Sequence, residues 1–242
     1  MPAQQLVTVG KNVTEKPVSL AEAKSIYESL AIVFKPNNIC LVGHFAIERM
    51  ADKWGVPQNA RRPSLDVDVY VQEPITDKKI AALDHEGIKP FPGENIDPDA
   101  RVLFLRKKVT DRFIPVDILQ GNVFDHKVTE KGHNIRITNT QNVIMRDVED
   151  IDGMRVPSMA FMTIIKAVAE IERGIRLADK ESPLKTDKHC RDVDSILRYI
   201  LRQTPEQFMN VNKDMIRDLL RGNRESERTL RKVLERCSPL RR

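Results

Sequence analysis

The stretch RRPSLDVDVYV, residues 61–71, constrains the fold more than any other part of the chain. Val67, Val69 and Val71 alternate with Asp66, Asp68 and Tyr70, which is the two-residue period of a β-strand. The valines supply a core-facing side. The opposite side then carries two carboxylates about 6.6 Å apart along the strand. Aspartate is depleted in strands, and a buried carboxylate without a partner is costly. Two like charges this close need a cation, an arginine or a proton between them. The plain competing reading is an edge strand with its polar side in water.

A third carboxylate sharpens the choice. Asp117 lies inside FIPVDIL, another apolar strand pattern, where a salt bridge to Arg112 or Arg106 is the default expectation. If the two strands are neighbours, three carboxylates converge, the supply that a pair of metal ions ~3.5–4 Å apart requires. Magnesium suits such a place, because hard cations prefer oxygen and Mg²⁺ takes only one or two protein carboxylates. Upstream, ICLV (39–42) reads as a short buried strand that runs into Gly43 and then into the helical HFAIERMADKW. A strand, a glycine and a helix N-terminus can cradle an anion, since backbone N–H groups and the helix dipole meet there. A tight turn accounts for Gly43 equally well.

The remaining pattern places these residues in an α+β fold. SLAE (19–22) is a capping box opening a helix to about Val33. TDKKIAALDHEG reads as a short helix, RVLFL (101–105) and RFIPVDILQG (112–121) as strands, and NIRI and NVIM as weaker strands. After Pro157 the period changes. Ser158 caps a helix carrying Phe161, Ile164, Ile165, Val168, Ile171 and Ile175 at helical spacing. HCRDVDSILRYILRQ reads as a second helix, Thr204 with Pro205 opens a third, and a charged helix ends the chain. The expected organisation is an α/β domain over 1–155 and a helical bundle over 156–242.

Composition narrows the function. Three scattered cysteines, Cys40, Cys190 and Cys237, lack zinc-site spacing and fit reduced thiols in a cytoplasm. No signal peptide is legible at the start, and the longest apolar run, MAFMTII, is far short of a span of ~20 residues. The expectation is a soluble cytoplasmic chain with no membrane partner. From Leu201 onward there are eleven Lys/Arg against six Asp/Glu, an excess equal to the net charge of +5 for the whole chain. Arg217, Arg221, Arg224, Arg228 and Arg231 recur at three- and four-residue spacing, as in a cationic stripe for phosphates. A solvated helix pair explains them equally well.

The order LVGH, RRPSLDVDV, PVDIL resembles the nucleotidyltransferase superfamily of the DNA polymerase β type. Its pattern is a strand, Gly-Gly or Gly-Ser, a helix, Asp-x-Asp, and a third Asp on a later strand. The nearest variety is similar to stand-alone bacterial enzymes of the AbiEii toxin type, whose R-x-S-x-D-x-D signature Arg62, Ser64, Asp66 and Asp68 match. In the helical half Lys166 and Arg173 fit, and KHCRDVDSIL offers Lys188, Arg191 and Asp192. The resemblance spans about residues 37–200.

It implies a nucleotidyltransferase-fold mixed sheet with helices and a Mg²⁺- or Mn²⁺-dependent transfer of a nucleoside monophosphate from an NTP to an acceptor hydroxyl. Asp66, Asp68 and Asp117 are then the catalytic and metal-binding carboxylates. Gly43, His44, Ser64 and Lys166 attend to the nucleotide, and Arg61, Arg62, Arg173, Lys188 and Asp192 to substrate. RNA, with tRNA favoured, is the expected acceptor through the basic tail, ahead of protein, and a cognate antitoxin is an expected partner. His44 stands where the pattern has Gly or Ser. It is the support for the rival reading, a nucleotide- or nucleic-acid-binding module that kept the fold and lost turnover.

Overall fold

The computed structural model describes residues 16–53, 64–130, 133–178 and 205–237. The fold is α+β. A five-stranded mixed sheet is followed, after residue 158, by a helical C-terminal part. The sheet contains β1 (Ile39–Val42), β2 (Val67–Val71), β3 (Ile88–Pro90), β4 (Val102–Val109) and β5 (Arg112–Gln120), in the order β1-β2-β5-β4-β3. Only β2 and β5 run parallel; the other neighbours are antiparallel.

Helix α1 (Leu20–Phe34) begins at the expected capping box, with Ser19 and Glu22 bonding each other's backbone. Its buried stripe, Ala23, Ile26, Tyr27, Leu30 and Phe34, packs against β1, β2 and β4. Arg112 fastens the helix start to β5. Its Nε and Nη2 donate to the two Glu22 carboxylate oxygens at 2.8 and 2.7 Å. Lys107 donates to the Ser29 hydroxyl farther along the same helix, which places the odd-numbered side of β4 under α1. That side of the sheet holds Leu103, Leu105, Ile114, Val116, Ile118, Val67, Val69 and Val71, all buried.

Helix α2 (Gly43–Lys53) follows β1 directly and packs on β1 and β2, and α3 (Asp77–His85) is capped by Thr76 and packs on α1 and β3. Two hairpins complete the first part: β6 (His126–Glu130) with β7 (His133–Ile137), and β8 (Val148–Ile151) with β9 (Met154–Pro157). The strand expected at NVIM is absent. Residues Thr140–Val143 form one helical turn, α4, because the Asp125 carboxylate accepts from both the backbone N–H and the hydroxyl of Thr140. Apolar letters alone do not reveal this contact, because Asp125 lies fifteen residues earlier in the chain.

Helix α5 (Met159–Ala178) starts where expected, with the Phe161 N–H donating to the Ser158 hydroxyl. The last segment holds α6 (Pro205–Val211), α7 (Lys213–Leu220) and α8 (Arg224–Cys237), three short helices where two were expected. Leu230, Val233 and Leu234 bury one side of α8, which packs on β7 and α5. The expected division at 155/156 falls within β9, and the β6–β7 hairpin rests on these C-terminal helices. The helix expected at 189–203 lies outside the described residues. Among those described, no helix is long and apolar enough to cross a membrane.

Candidate active site

Strand register brings the carboxylates together. Asp68 lies opposite Asp117 on the parallel neighbour β5, so both side chains leave the same side of the sheet about 4.8 Å apart in backbone spacing. Asp66 sits one residue before β2 and is close enough that its charge bears on Asp117. Burial first, and the Asp66 charge second, push the Asp117 carboxyl up to about 6. The salt bridge that is the default for Asp117 does not form. Arg112 is committed to Glu22, and Arg106 stacks on the Phe113 ring at 4.1 Å from its centroid. Among the described residues Asp117 has no hydrogen bond or ion pair. A half-buried carboxylate without a partner is an unfilled demand for a cation or a proton.

Gly43 closes the site from the β1 side. Val42 is the register partner of Asp68, and the next residue, Gly43, has a φ of +69°. A Cβ placed on Gly43 would lie 1.7 Å from Asp68 Oδ2 and 2.6 Å from its Cγ. Only glycine allows the carboxylate to seat against the first residue of α2, where the partial positive charge of the helix N-terminus favours an anion. The glycine therefore answers to the carboxylate as well as to the turn.

Ser64 is wholly buried, and its hydroxyl lies 3.1 Å from the Asp66 carbonyl and 3.2 Å from Asp66 Oδ1. Its backbone carbonyl accepts from Val18 N–H at 2.8 Å. The residue thus fixes the turn that aims Asp66. His44 is buried in the first turn of α2, only 4% exposed. Lys166 on α5 is 9% exposed, which removes the solvated-surface reading of that lysine. Arg173 is also on α5. Arg61, Arg62, Lys188, Arg191 and Asp192 lie outside the described residues.

The side of the sheet that bears the carboxylates has two unlike ends. Beyond Asp68, Tyr70 packs against Phe124 with ring centroids 6.0 Å apart, and Phe124 meets Phe161 of α5 edge-on at 6.0 Å. Tyr70 also donates to the Gly121 carbonyl at 2.8 Å. This end is roofed. Beside Asp117 on β4, Phe104 is 56% exposed, and toward the β4–β5 turn Phe113 is 54% exposed. The sequence holds the signal for this second end: in VLFLRKKV, Phe104, Arg106 and Lys108 share one period-two side opposite Leu103 and Leu105.

The donor set fits a divalent cation in kind, since all three groups are carboxylates beside a seat that excludes a Cβ. They do not close into a cage. Among the described residues no group of three or more His, Cys, Asp and Glu is gathered tightly enough to hold an ion alone. An ion at this place would take one or two of the carboxylates and complete its shell with water or phosphate oxygens.

The basic tail differs from the expected stripe. Helix α7 stops at Leu220, Arg221 takes a left-handed conformation, and Gly222 turns the chain before α8. Arg217 pairs with Asp214 at 3.0 Å and Arg231 with Glu206 at 3.4 Å. Arg217 therefore lies on α7, Arg221 in the turn and Arg224, Arg228 and Arg231 on α8, and among the described residues two of the five are paired.

No family model matches this chain, and no curated protein matches it. Among solved structures it is similar to the crystal structure of the Megavirus polyadenylate synthase, at a TM-score of 0.44 and 14% sequence identity. The match covers 74% of this chain and 32% of that one, so the chain spans about a third of its length. A likeness that slight assigns no activity to the chain.

Proposed function

We propose that this chain is a divalent-metal-dependent nucleotidyltransferase that moves a nucleoside monophosphate from an NTP to an acceptor hydroxyl with release of pyrophosphate, RNA, tRNA foremost, being the favoured acceptor. The observation that carries the reading is the pairing of Asp68 with Asp117 on adjacent parallel strands, with Gly43 leaving room for the Asp68 carboxylate. The sequence resemblance adds the reaction class, and a place in a toxin–antitoxin pair rests on that resemblance alone.

Asp66 and Asp68 are the residues to hold Mg²⁺ or Mn²⁺, whose chemistry is to neutralise triphosphate charge and lower the pKa of a bound hydroxyl. Asp117 lies beside them with its carboxyl held near 6, so above that pH it is an anion able to take the acceptor proton. Gly43 and the start of α2 offer backbone N–H groups to a phosphate. Ser64 keeps Asp66 aimed. Lys166, buried on α5, is the cation proposed to meet the outer phosphates.

Incubation with each labelled NTP, Mg²⁺ and total RNA tests the reading: label should enter an RNA band and vanish with EDTA. Label in protein alone would move the acceptor to a protein hydroxyl, and no transfer with any NTP would refute turnover. Lys166→Ala should weaken NTP binding more than NMP binding. Equal losses would remove Lys166 from the triphosphate.

A further inference from the structure

We propose that the open end of the carboxylate-bearing side of the sheet is a stacking platform for a single-stranded nucleic-acid acceptor, formed by Phe104 and Phe113 with Arg106 and Lys108 between and beside them. The inference rests on the nucleotidyltransferase reading for the identity of the reacting end, Asp117.

Register sets the geometry. In an antiparallel pair, residues directly opposite share a side. Phe104 is opposite Asp117, Arg106 opposite Pro115, and Lys108 opposite Phe113. All therefore face the side from which Asp117 projects. Phe104 is one strand spacing, about 5 Å, from Asp117. Phe113 lies four residues back along β5, about 13 Å away. The two rings thus mark a track that ends at the carboxylates.

Chemistry selects the occupant. Two phenylalanines more than half exposed on one small surface leave apolar area that a chain normally buries. Here cations separate them. Arg106 stacks over Phe113, with Phe91 on its far side at 5.9 Å, and neither Arg106 nor Lys108 has an ion pair among the described residues. A protein partner suited to the rings alone has no use for unpaired cations interleaved with them. A single-stranded nucleic acid needs both: ring faces for unstacked bases and cations for the phosphates joining them. Duplexes keep their bases stacked and cannot use the rings. The roofed end at Tyr70 and Phe124 prevents the strand from running past Asp68, so the track serves an end, where a terminal hydroxyl is found.

The test uses the full chain and a fluorescently labelled single-stranded RNA octamer, with anisotropy read at about 50 mM and about 200 mM salt. Phe104→Ala combined with Phe113→Ala should weaken binding about tenfold or more. Phe113→Trp should keep or tighten it, and Lys108→Glu should weaken it and flatten the salt dependence by about one unit of slope. The double-alanine chain, checked by thermal melting, binding the octamer as well as the unaltered chain would overturn the platform. So would stronger binding of a duplex than of the single strand, or a patch that takes up a protein while ignoring the octamer. NTP binding with Mg²⁺, titrated separately, reports on the carboxylates alone. Its absence beside intact octamer binding would refute the proposed transferase and leave the platform standing.

Discussion

The two sides of β5 show what each kind of surface is for. On one, Ile114, Val116 and Ile118 are buried beneath α1, in register with Leu103, Leu105 and the β2 valines. On the other, Phe113, Pro115, Asp117 and Leu119 run from open surface to a roofed end, with a partnerless carboxylate at the boundary. The first side maximises apolar burial, worth roughly 25 cal/mol per Å². The second forgoes some of it. Natural chains give up such stability mainly where a site requires it, because a core otherwise fills with packed apolar groups. The proposed site therefore lies on one side of a single strand.

Changes to the carboxylate side should cost chemistry and spare the fold, with one exception. Asp66→Asn or Asp117→Asn should lower transfer of labelled nucleotide more than about a hundredfold. A loss of less than threefold in both would move the reacting centre elsewhere. The exception is Gly43→Ala. Its new Cβ collides with Asp68 and its φ suits only glycine, so a cost of about 2–4 kcal/mol is expected in urea unfolding. A silent substitution would show that Asp68 does not seat against Gly43.

The raised Asp117 carboxyl gives a pH signature of opposite sign to an ordinary salt bridge. Its folded state holds a proton more tightly than the unfolded chain, from 3.8 in an ordinary aspartate to about 6 here. Stability without ligand therefore falls as pH rises through that window, by at most about 3 kcal/mol. Asp117→Asn should remove the fall, raising Tm at pH 7.5 and leaving it little changed below pH 4. Parallel pH profiles for the two chains would contradict a raised Asp117. Activity should climb through about pH 6 as the same group loses its proton.

The smallest expected effect is at the polar fastening of α1. Arg112, through its paired hydrogen bonds, holds the Glu22 carboxyl down to about 2, so the stability this pair adds is present above about pH 4.5 and is lost as pH falls through 2. Glu22→Gln should cost roughly 1–2 kcal/mol at pH 7 in thermal melts, with nucleotide transfer unchanged. A change in transfer of more than tenfold would mean the two sides are not separable.

Much of this arrangement was legible in the letters. The strand carrying Asp68, the strand carrying Asp117, the glycine between β1 and α2 and the capping box each follow from periodicity or local chemistry. What could not be read was neighbourhood. That β2 and β5 are adjacent and in register at the two aspartates is a long-range fact, set by how both apolar sides pack beneath α1. Arg112 illustrates the limit: sequence offers it to Asp117, five residues on, and the fold gives it to Glu22, ninety residues back. NVIM is a further case, where Asp125, fifteen residues earlier, draws Thr140 into a helical turn. Composition does not mark Phe104 and Phe113, since aromatic content is only 5% overall, although the period-two pattern sets Phe104 apart from the core.

The proposed metal-assisted nucleotide site stands or falls with Asp68. Calorimetric titration of an NTP in the presence and absence of Mg²⁺, for the unaltered chain and for Asp68→Asn, tests it most directly. Mg²⁺-dependent NTP binding is expected in the unaltered chain and should be lost in Asp68→Asn. Equal affinity in the two chains, or binding indifferent to Mg²⁺, would contradict it.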